Sequence, residues 1–144
     1  MPLRPAQSPG FLLWHATLRW QRAVAAALAP LELTHVQFVL LASTWWLNGL
    51  DEQPSQVRLA EQAGTDVKMT SQVVRNLEAK GLIVRAADPV DTRARRLRVT
   101  ASGALLAPRA IEAVEAVDAR FFSPVDADSA VALLSALARV SERA

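Results

Sequence analysis

Residues 55–100 constrain the fold more than any other part of this chain. Ser55 is a residue type that caps helix N-termini, and Gly64 ends the short helical stretch behind it. Thr65 and Asp66 open a second helical stretch, which Gly81 terminates. The pattern therefore predicts two helices joined by a tight turn.

A short hairpin is predicted directly after this helix pair. The first strand is expected over residues 82–86 and the returning strand over residues 97–99. The residues Asp-Pro-Val-Asp at positions 88–91 between them are typical of a turn. Two helices followed by a hairpin are the element order of a winged helix-turn-helix, whose second helix is the recognition helix and whose hairpin is the wing.

Helical stretches flank this module on both sides. Their periodicity predicts helices over residues 9–29, 35–47, 100–121 and 127–141, with Pro108 kinking the third of these or splitting off its first turn. The apolar faces of the terminal helices exceed what one chain of this size can cover. The predicted fold class is mainly α with a small β-hairpin wing: a winged helix-turn-helix plus a helical dimerisation region.

The chain is expected to form one structural domain in three parts. Residues 1–53 supply N-terminal helices for dimerisation. Residues 54–100 form the winged module, and residues 101–144 supply the C-terminal dimerisation helices.

The predicted recognition helix has one apolar and one polar face. Val73, Val74 and Leu77 share the apolar face, which either Met69 or Thr70 completes. The opposite face has the spacing i, i+3, i+4 and i+7, and its side chains can hydrogen-bond to base edges or phosphates: Lys68, Ser71, Gln72 and Arg75. An ordinary solvated helix face would have the same pattern.

Charge concentrates in the same part of the chain. Residues 54–98 carry nine basic and five acidic side chains, a net charge of +4, whereas the whole chain carries +2. Three arginines, Arg93, Arg95 and Arg96, fall within four residues at the tip of the hairpin, and Asp91 is placed to pair with Arg93. Arginine is favoured in a narrow minor groove, although a solvated charged tip is the alternative interpretation.

In the order and spacing of its elements over residues 9–143, the chain resembles the MarR family of transcriptional regulators. The residues that carry the resemblance lie at 59–61, 64–83, 88–94 and 97–103, and the wing stretch is the most specific part. Thr70 departs from the family pattern, because many members have an apolar core residue there, and Met69 is a candidate to replace it by a slight helix rotation. The absence of Cys excludes the peroxide-sensing thiol branch of the family.

The resemblance implies a homodimer whose two winged modules bind a pseudo-palindromic operator in double-stranded DNA. It implies that Arg93 enters the minor groove, that Asp91 is the acidic partner supporting the wing, and that the protein is a repressor. The expected DNA contacts are Ser55, Lys68, Met69, Ser71, Gln72, Arg75, Arg93, Arg95 and Arg96. A winged helix that binds another protein and has no operator is the alternative function.

Many members of the family lose DNA affinity when they bind a small, often aromatic compound. The first two helices carry aromatic side chains that are candidates to line such a pocket: Trp14, His15, Phe38, Trp45 and Trp46. Core or dimer-interface packing of the same residues is the alternative.

Other classes of function find no support in the residues. The chain has no Cys and two His, which argues against a metal site, and it has no phosphate-binding Gly loop and no nucleophile with a placed base. We therefore expect no enzyme, no metal and no cofactor. The longest apolar run, residues 23–29, is far shorter than the roughly 20 residues of a membrane span, and no signal peptide is evident, so a cytoplasmic protein is expected.

Overall fold

The computed structural model describes residues 1–91 and 93–140. These residues form six α-helices and one two-stranded antiparallel sheet, which confirms the predicted fold class. In chain order the elements are α1 (Pro9–Leu28), α2 (His35–Gly49), α3 (Gln56–Ala63), α4 (Val67–Ala79), β1 (Ile83–Ala87), β2 (Arg95–Val99), α5 (Ala101–Phe121) and α6 (Ala127–Ala138).

Each of the six helices begins at a side-chain cap. In every case the oxygen of the cap residue accepts a hydrogen bond from the backbone N–H three residues further on, which satisfies a group that the helix cannot pair. The caps are Ser8, Thr34, Ser55, Asp66, Thr100 and Asp126. After α3 and α4 the backbone turns at Gly64 and Gly81, whose φ angles of 71° and 72° favour glycine.

Two details of the helix predictions need correction: the split first turn, which was one of two alternatives for Pro108, and the end of α6. Helix α5 passes through Pro108 as one element, so no first turn is split off. The flanking Ala107 and Ala110 are fully buried, and their packing holds the helix together despite the lost backbone hydrogen bond. Helix α6 ends at Ala138 because Arg139 has a left-handed backbone with φ of 53°; Ser141, the predicted end, lies outside the described residues.

The core lies where α1, α2, α4 and α5 meet. Leu28, Leu40, Leu41, Val74 and Leu77 have no exposed surface there. The base of the hairpin joins the same core through Ile83 and Leu97. The winged module and the flanking helices therefore share one hydrophobic core.

Helix α5 starts in close contact with the start of the hairpin. A Cβ built on Gly103 would lie 2.1 Å from the carbonyl oxygen of Leu82. That carbonyl accepts a hydrogen bond from the backbone N–H of Thr100 at 3.0 Å. Glycine at position 103 is required by this backbone approach and not by its φ angle.

Apolar side chains of α6 are not covered by this chain. The stripe predicted on that helix is exposed along its length: Val131, Leu134, Leu137 and Val140. The first turns of α1 likewise expose apolar side chains, among them Leu13 and Trp14.

In the described part of the chain, no single helix is long and apolar enough to cross a membrane. Pro9–Leu31 and His35–Gly49 meet the length and composition criteria only as a pair, bent by 73°. Both helices contribute buried side chains to the core described above, Leu28 and Leu40 among them.

Candidate nucleic-acid interface

Helix α4 turns its polar face outward. Thr70, Val73, Val74 and Leu77 are buried against the core, whereas Lys68, Gln72 and Arg75 are exposed and Ser71 is half-buried. The four polar residues predicted to share a face therefore do lie opposite the buried side of the helix.

Thr70, and not Met69, completes the buried face of α4. The Thr70 hydroxyl donates to the Asp66 carbonyl oxygen at 2.8 Å and is hydrogen-bonded to the Thr65 hydroxyl at 2.6 Å. A threonine is therefore accommodated in the core without an unpaired hydroxyl, so the helix does not rotate to bury Met69. Met69 is 45% exposed, next to Lys68.

An open groove runs along the exposed side of α4 and beside the start of α3. Its volume is about 830 Å³, and its walls include Gln56 of α3 and Lys68, Met69, Gln72 and Arg75 of α4. The Arg75 guanidinium donates to the Ser71 hydroxyl at 3.1 Å. Ser55 caps α3, where its hydroxyl accepts the backbone N–H of Arg58 at 3.2 Å.

The tip of the wing is held by two carboxylates. Asp88 accepts the backbone N–H groups of Val90 and Asp91 at 2.8 and 3.2 Å, and Asp91 accepts the backbone N–H of Arg93 at 3.1 Å. Among the described residues, the Asp91 carboxylate contacts the backbone N–H of Arg93 and not its guanidinium. The predicted ion pair between these two side chains is therefore wrong. Short side-chain carboxylates commonly bind backbone N–H groups in turns. Thr92 lies outside the described residues.

The three predicted wing arginines divide into two groups. Nε of Arg96 donates to the Asp88 carboxylate at 2.7 Å, so Arg96 fastens the base of the tip. This Arg96 contact, together with the N–H groups of Val90 and Asp91, lowers the pKa of Asp88 to about 2. Arg93 and Arg95 are exposed and are free to reach a polyanion.

The fold also separates the basic side chains of residues 54–98 into those held by a partner and those left exposed. Arg58 pairs with Glu52 at 2.8 Å and Arg85 with Glu78 at 2.7 Å. Lys80 donates to the carbonyl oxygen of Glu32 and, at 3.0 Å, to the side chain of Gln37, which ties the end of α4 to the start of α2. The exposed basic side chains that have no such tie to another element are Lys68, Arg75, Arg93, Arg95 and Arg98.

Two of the predicted effector residues lie beside one cleft. Trp45 and Trp46, at the end of α2, line a cavity of about 410 Å³ together with Asn48, Val99 of β2 and Ala104 of α5. Trp14 and His15 are exposed on α1, where His15 makes an edge contact with Phe11, and Phe38 packs against the core. Trp14, His15 and Phe38 do not line the cleft.

A second cavity, of about 370 Å³, lies between α1, the end of α5 and α6. Trp20 lines it and donates its indole N–H to the Asp118 carboxylate at 2.8 Å. The Trp20 ring also meets His35 edge-on at 5.0 Å. Burial lowers the pKa of His35, against the opposing effect of Asp118. Within the described residues no group of three acidic or histidine side chains could hold a metal ion.

Sequence reasoning also missed Asn48, which joins α2 to the wing. Asn48 directly follows the predicted end of the second helix at residue 47, and its partners in β2 lie about 50 residues away. A single polar residue in a helix end gives no local signal of such a long-range contact.

Comparison with known proteins agrees with this arrangement. The model of the MarR family matches residues 33–94, which span α2 to the wing. The chain is 46% identical over 119 residues to YdcH of Bacillus subtilis, described as an uncharacterized HTH-type transcriptional regulator; the match covers 83% of this chain and 81% of that protein.

Solved structures of a repressor share nearly the whole fold. CouR from Rhodococcus jostii RHA1 bound to p-coumaroyl-CoA superposes with a TM-score of 0.84 at 25% identity, covering 99% of this chain and 98% of CouR. CouR bound to a 23-mer DNA duplex gives a TM-score of 0.79 at 28% identity, covering 97% and 99%. Sequence and fold agree, and the chain belongs to the MarR family of transcriptional regulators.

Proposed function

We propose that this regulator is a homodimeric repressor that binds a pseudo-palindromic operator and releases it when a small, aromatic ligand binds. The observation that carries the proposal is the shared exposure of the polar face of α4 and of the two free wing arginines, Arg93 and Arg95. A helix of this kind fits the major groove, and arginine side chains fit the adjacent minor groove.

Each DNA-facing residue has a proposed role. Gln72 and Arg75 read base edges, Lys68 and Arg95 contact phosphates, and Arg93 enters the minor groove. Further contacts are proposed for the groove residues Met69 and Ser71 and for Ser55 at the start of α3. Arg96 acts by holding the wing through Asp88, and Asp91 supports the same turn. CouR, which shares this fold, has been solved bound to a 23-mer DNA duplex, and this supports duplex DNA as the partner.

The dimer is proposed to form through the terminal helices. The exposed apolar side chains of α6 and of the first turns of α1 have no cover within this chain. Burying each such side chain against a partner contributes about 1.5–3 kcal/mol. We accordingly divide the domain into dimerisation parts at residues 1–53 and 101–144 around the DNA-binding module at residues 54–100.

The effector is proposed to bind in the cleft beside Trp45 and Trp46. Flat apolar walls suit an aromatic ring, and the cleft lies between α2 and the base of the wing. The complex of CouR with p-coumaroyl-CoA supports a ligand-responsive regulator. On this proposal Trp14, His15 and Phe38, which do not line the cleft, contribute less. The protein acts on cytoplasmic DNA and catalyses no reaction.

The test is selection of binding sites from random duplexes, followed by affinity measurement at several salt concentrations. We expect a palindromic site and an affinity that falls steeply as salt rises, because phosphate contacts release counterions. Arg93→Ala should weaken binding. Absence of any salt-dependent duplex binding would favour a protein-binding winged helix instead.

A further inference from the structure

Two apolar side chains at the start of α4 are exposed within an otherwise polar surface. Val67 is 50% exposed and Met69 is 45% exposed. Scattered exposed apolar side chains are common and need no explanation. These two, however, occupy the first and third positions of the recognition helix, and both line the groove that also holds Gln72 and Arg75.

Helical geometry places the two side chains on either side of Lys68. Successive residues turn by about 100° around a helix, so Val67 and Met69 flank the direction in which Lys68 points. The buried residues Thr70 and Val73 lie on the far side of the helix. About half of the surface of Val67 and of Met69 is thus available to the walls of a groove into which Lys68 is inserted.

Base edges in the major groove display one apolar group, the C5 methyl of thymine. We propose that Val67 and Met69 read thymine methyl groups, so that each operator half-site requires thymine at two positions that flank the contacts of Lys68 and Gln72. The inference rests on the proposed DNA-binding function and names the bases that the site recognises. The exposed cations Lys68 and Arg75 in the same groove make duplex DNA the fitting occupant.

The chain supplies a matched control for this proposal. Val57 on α3 is 53% exposed, as much as Val67, and belongs to the same module. It is not among the residues that line the groove. Val57→Ala therefore removes the same two methyl groups from a nearby exposed site.

The test replaces thymine by deoxyuridine, one position at a time, in a duplex selected by the wild-type chain, and measures affinity by fluorescence anisotropy. Deoxyuridine lacks only the C5 methyl. Burying one methyl group is worth about 0.8 kcal/mol, so we expect a loss of about fourfold at each sensitive thymine in the wild type. Val67→Ala should abolish the loss at one set of positions, Met69→Ala at another, and Val57→Ala at none. Circular dichroism checks that each variant is folded.

The proposal is overturned if deoxyuridine has no effect at any position in a duplex that the wild type binds well. It is also overturned if the fourfold losses persist in the Val67→Ala, Met69→Ala double variant. Either result leaves the proposed DNA-binding function standing. Failure of the wild-type chain to bind any duplex would overturn that function and this inference together.

Discussion

The side-chain oxygen of Asn48 accepts a hydrogen bond from the backbone N–H of Val99 at 2.9 Å. The amide nitrogen of Asn48 donates to the carbonyl oxygens of Leu97 at 3.2 Å and Glu52 at 2.9 Å. One side chain at the end of α2 thereby fastens the strand β2 of the wing. Asn48 and Val99 also line the cleft beside Trp45 and Trp46, so the proposed effector site and the wing share this contact.

Asn48→Ala is expected to lower the free energy of unfolding by about 2–3 kcal/mol, because three hydrogen bonds are lost at about 1 kcal/mol each. It should also weaken DNA binding, since β2 carries Arg95. Urea unfolding and duplex binding provide the measurements. Gln53→Ala, an exposed change in the next segment, is the control. A change below about 0.5 kcal/mol would show that Asn48 does not hold the wing.

Gly103→Ala is expected to destabilise the fold by about 3 kcal/mol, because its new Cβ would collide with the Leu82 carbonyl oxygen and force α5 away from the hairpin. Thermal unfolding measures the effect. Gly10→Ala in α1 is the matched control, since its Cβ meets nothing within 4 Å, and it should stabilise by up to about 1 kcal/mol. Equal effects of the two changes would contradict the close approach.

Asp88 should make the wing sensitive to acid. Its pKa in the folded chain is about 2, below the ordinary value of 3.8, so the carboxylate stabilises the fold above pH 4 and this contribution is lost as the pH falls from about 4 to 2. An NMR titration of the Asp88 carboxyl carbon measures the pKa. Arg96→Gln should move that pKa upward, because Arg96 is the largest cause of the shift. An unchanged titration in Arg96→Gln would exclude the ion pair.

Gln72→Ala and Arg95→Ala should affect DNA binding in different ways. Gln72 is placed to read bases, so its loss should reduce the preference for the selected site over random duplex by about 1–3 kcal/mol. Arg95 is placed to contact phosphate, so its loss should weaken both duplexes alike and reduce the salt dependence. Competition binding at two salt concentrations separates these outcomes. Equal losses on both duplexes for Gln72→Ala would remove it from the base-reading residues.

Leu137→Glu should convert a dimer to monomers. Leu137 is 62% exposed on α6, and a carboxylate buried there by a partner chain would be costly. Sedimentation equilibrium at micromolar concentration provides the measurement. Val90→Glu, at the 96% exposed tip of the wing, should leave the dimer intact. A wild-type chain that sediments as a monomer, or a Leu137→Glu chain that remains dimeric, would contradict dimerisation through α6.

The polar face of α4 could be predicted because it depends on local geometry. The spacing of Lys68, Gln72 and Arg75 places them together on any helix, and the buried side of α4 faces the core as its periodicity indicates.

The different roles of the three wing arginines could not be predicted. The sequence places Asp88 in the turn. The ion pair of Asp88 with Arg96, however, depends on the antiparallel register, which sets Ala86 opposite Arg96.

By itself the sequence determined where each helix begins, where α3 and α4 end, and that a hairpin follows α4, because caps such as Ser55 and turn glycines such as Gly64 act within three or four residues of the chain. Only the tertiary structure decided that Thr70 and not Met69 is buried, that α5 continues through Pro108, and that Asn48 holds β2. These outcomes depend on packing and on hydrogen bonds between residues that are distant in the chain. Such contacts form only when the core assembles.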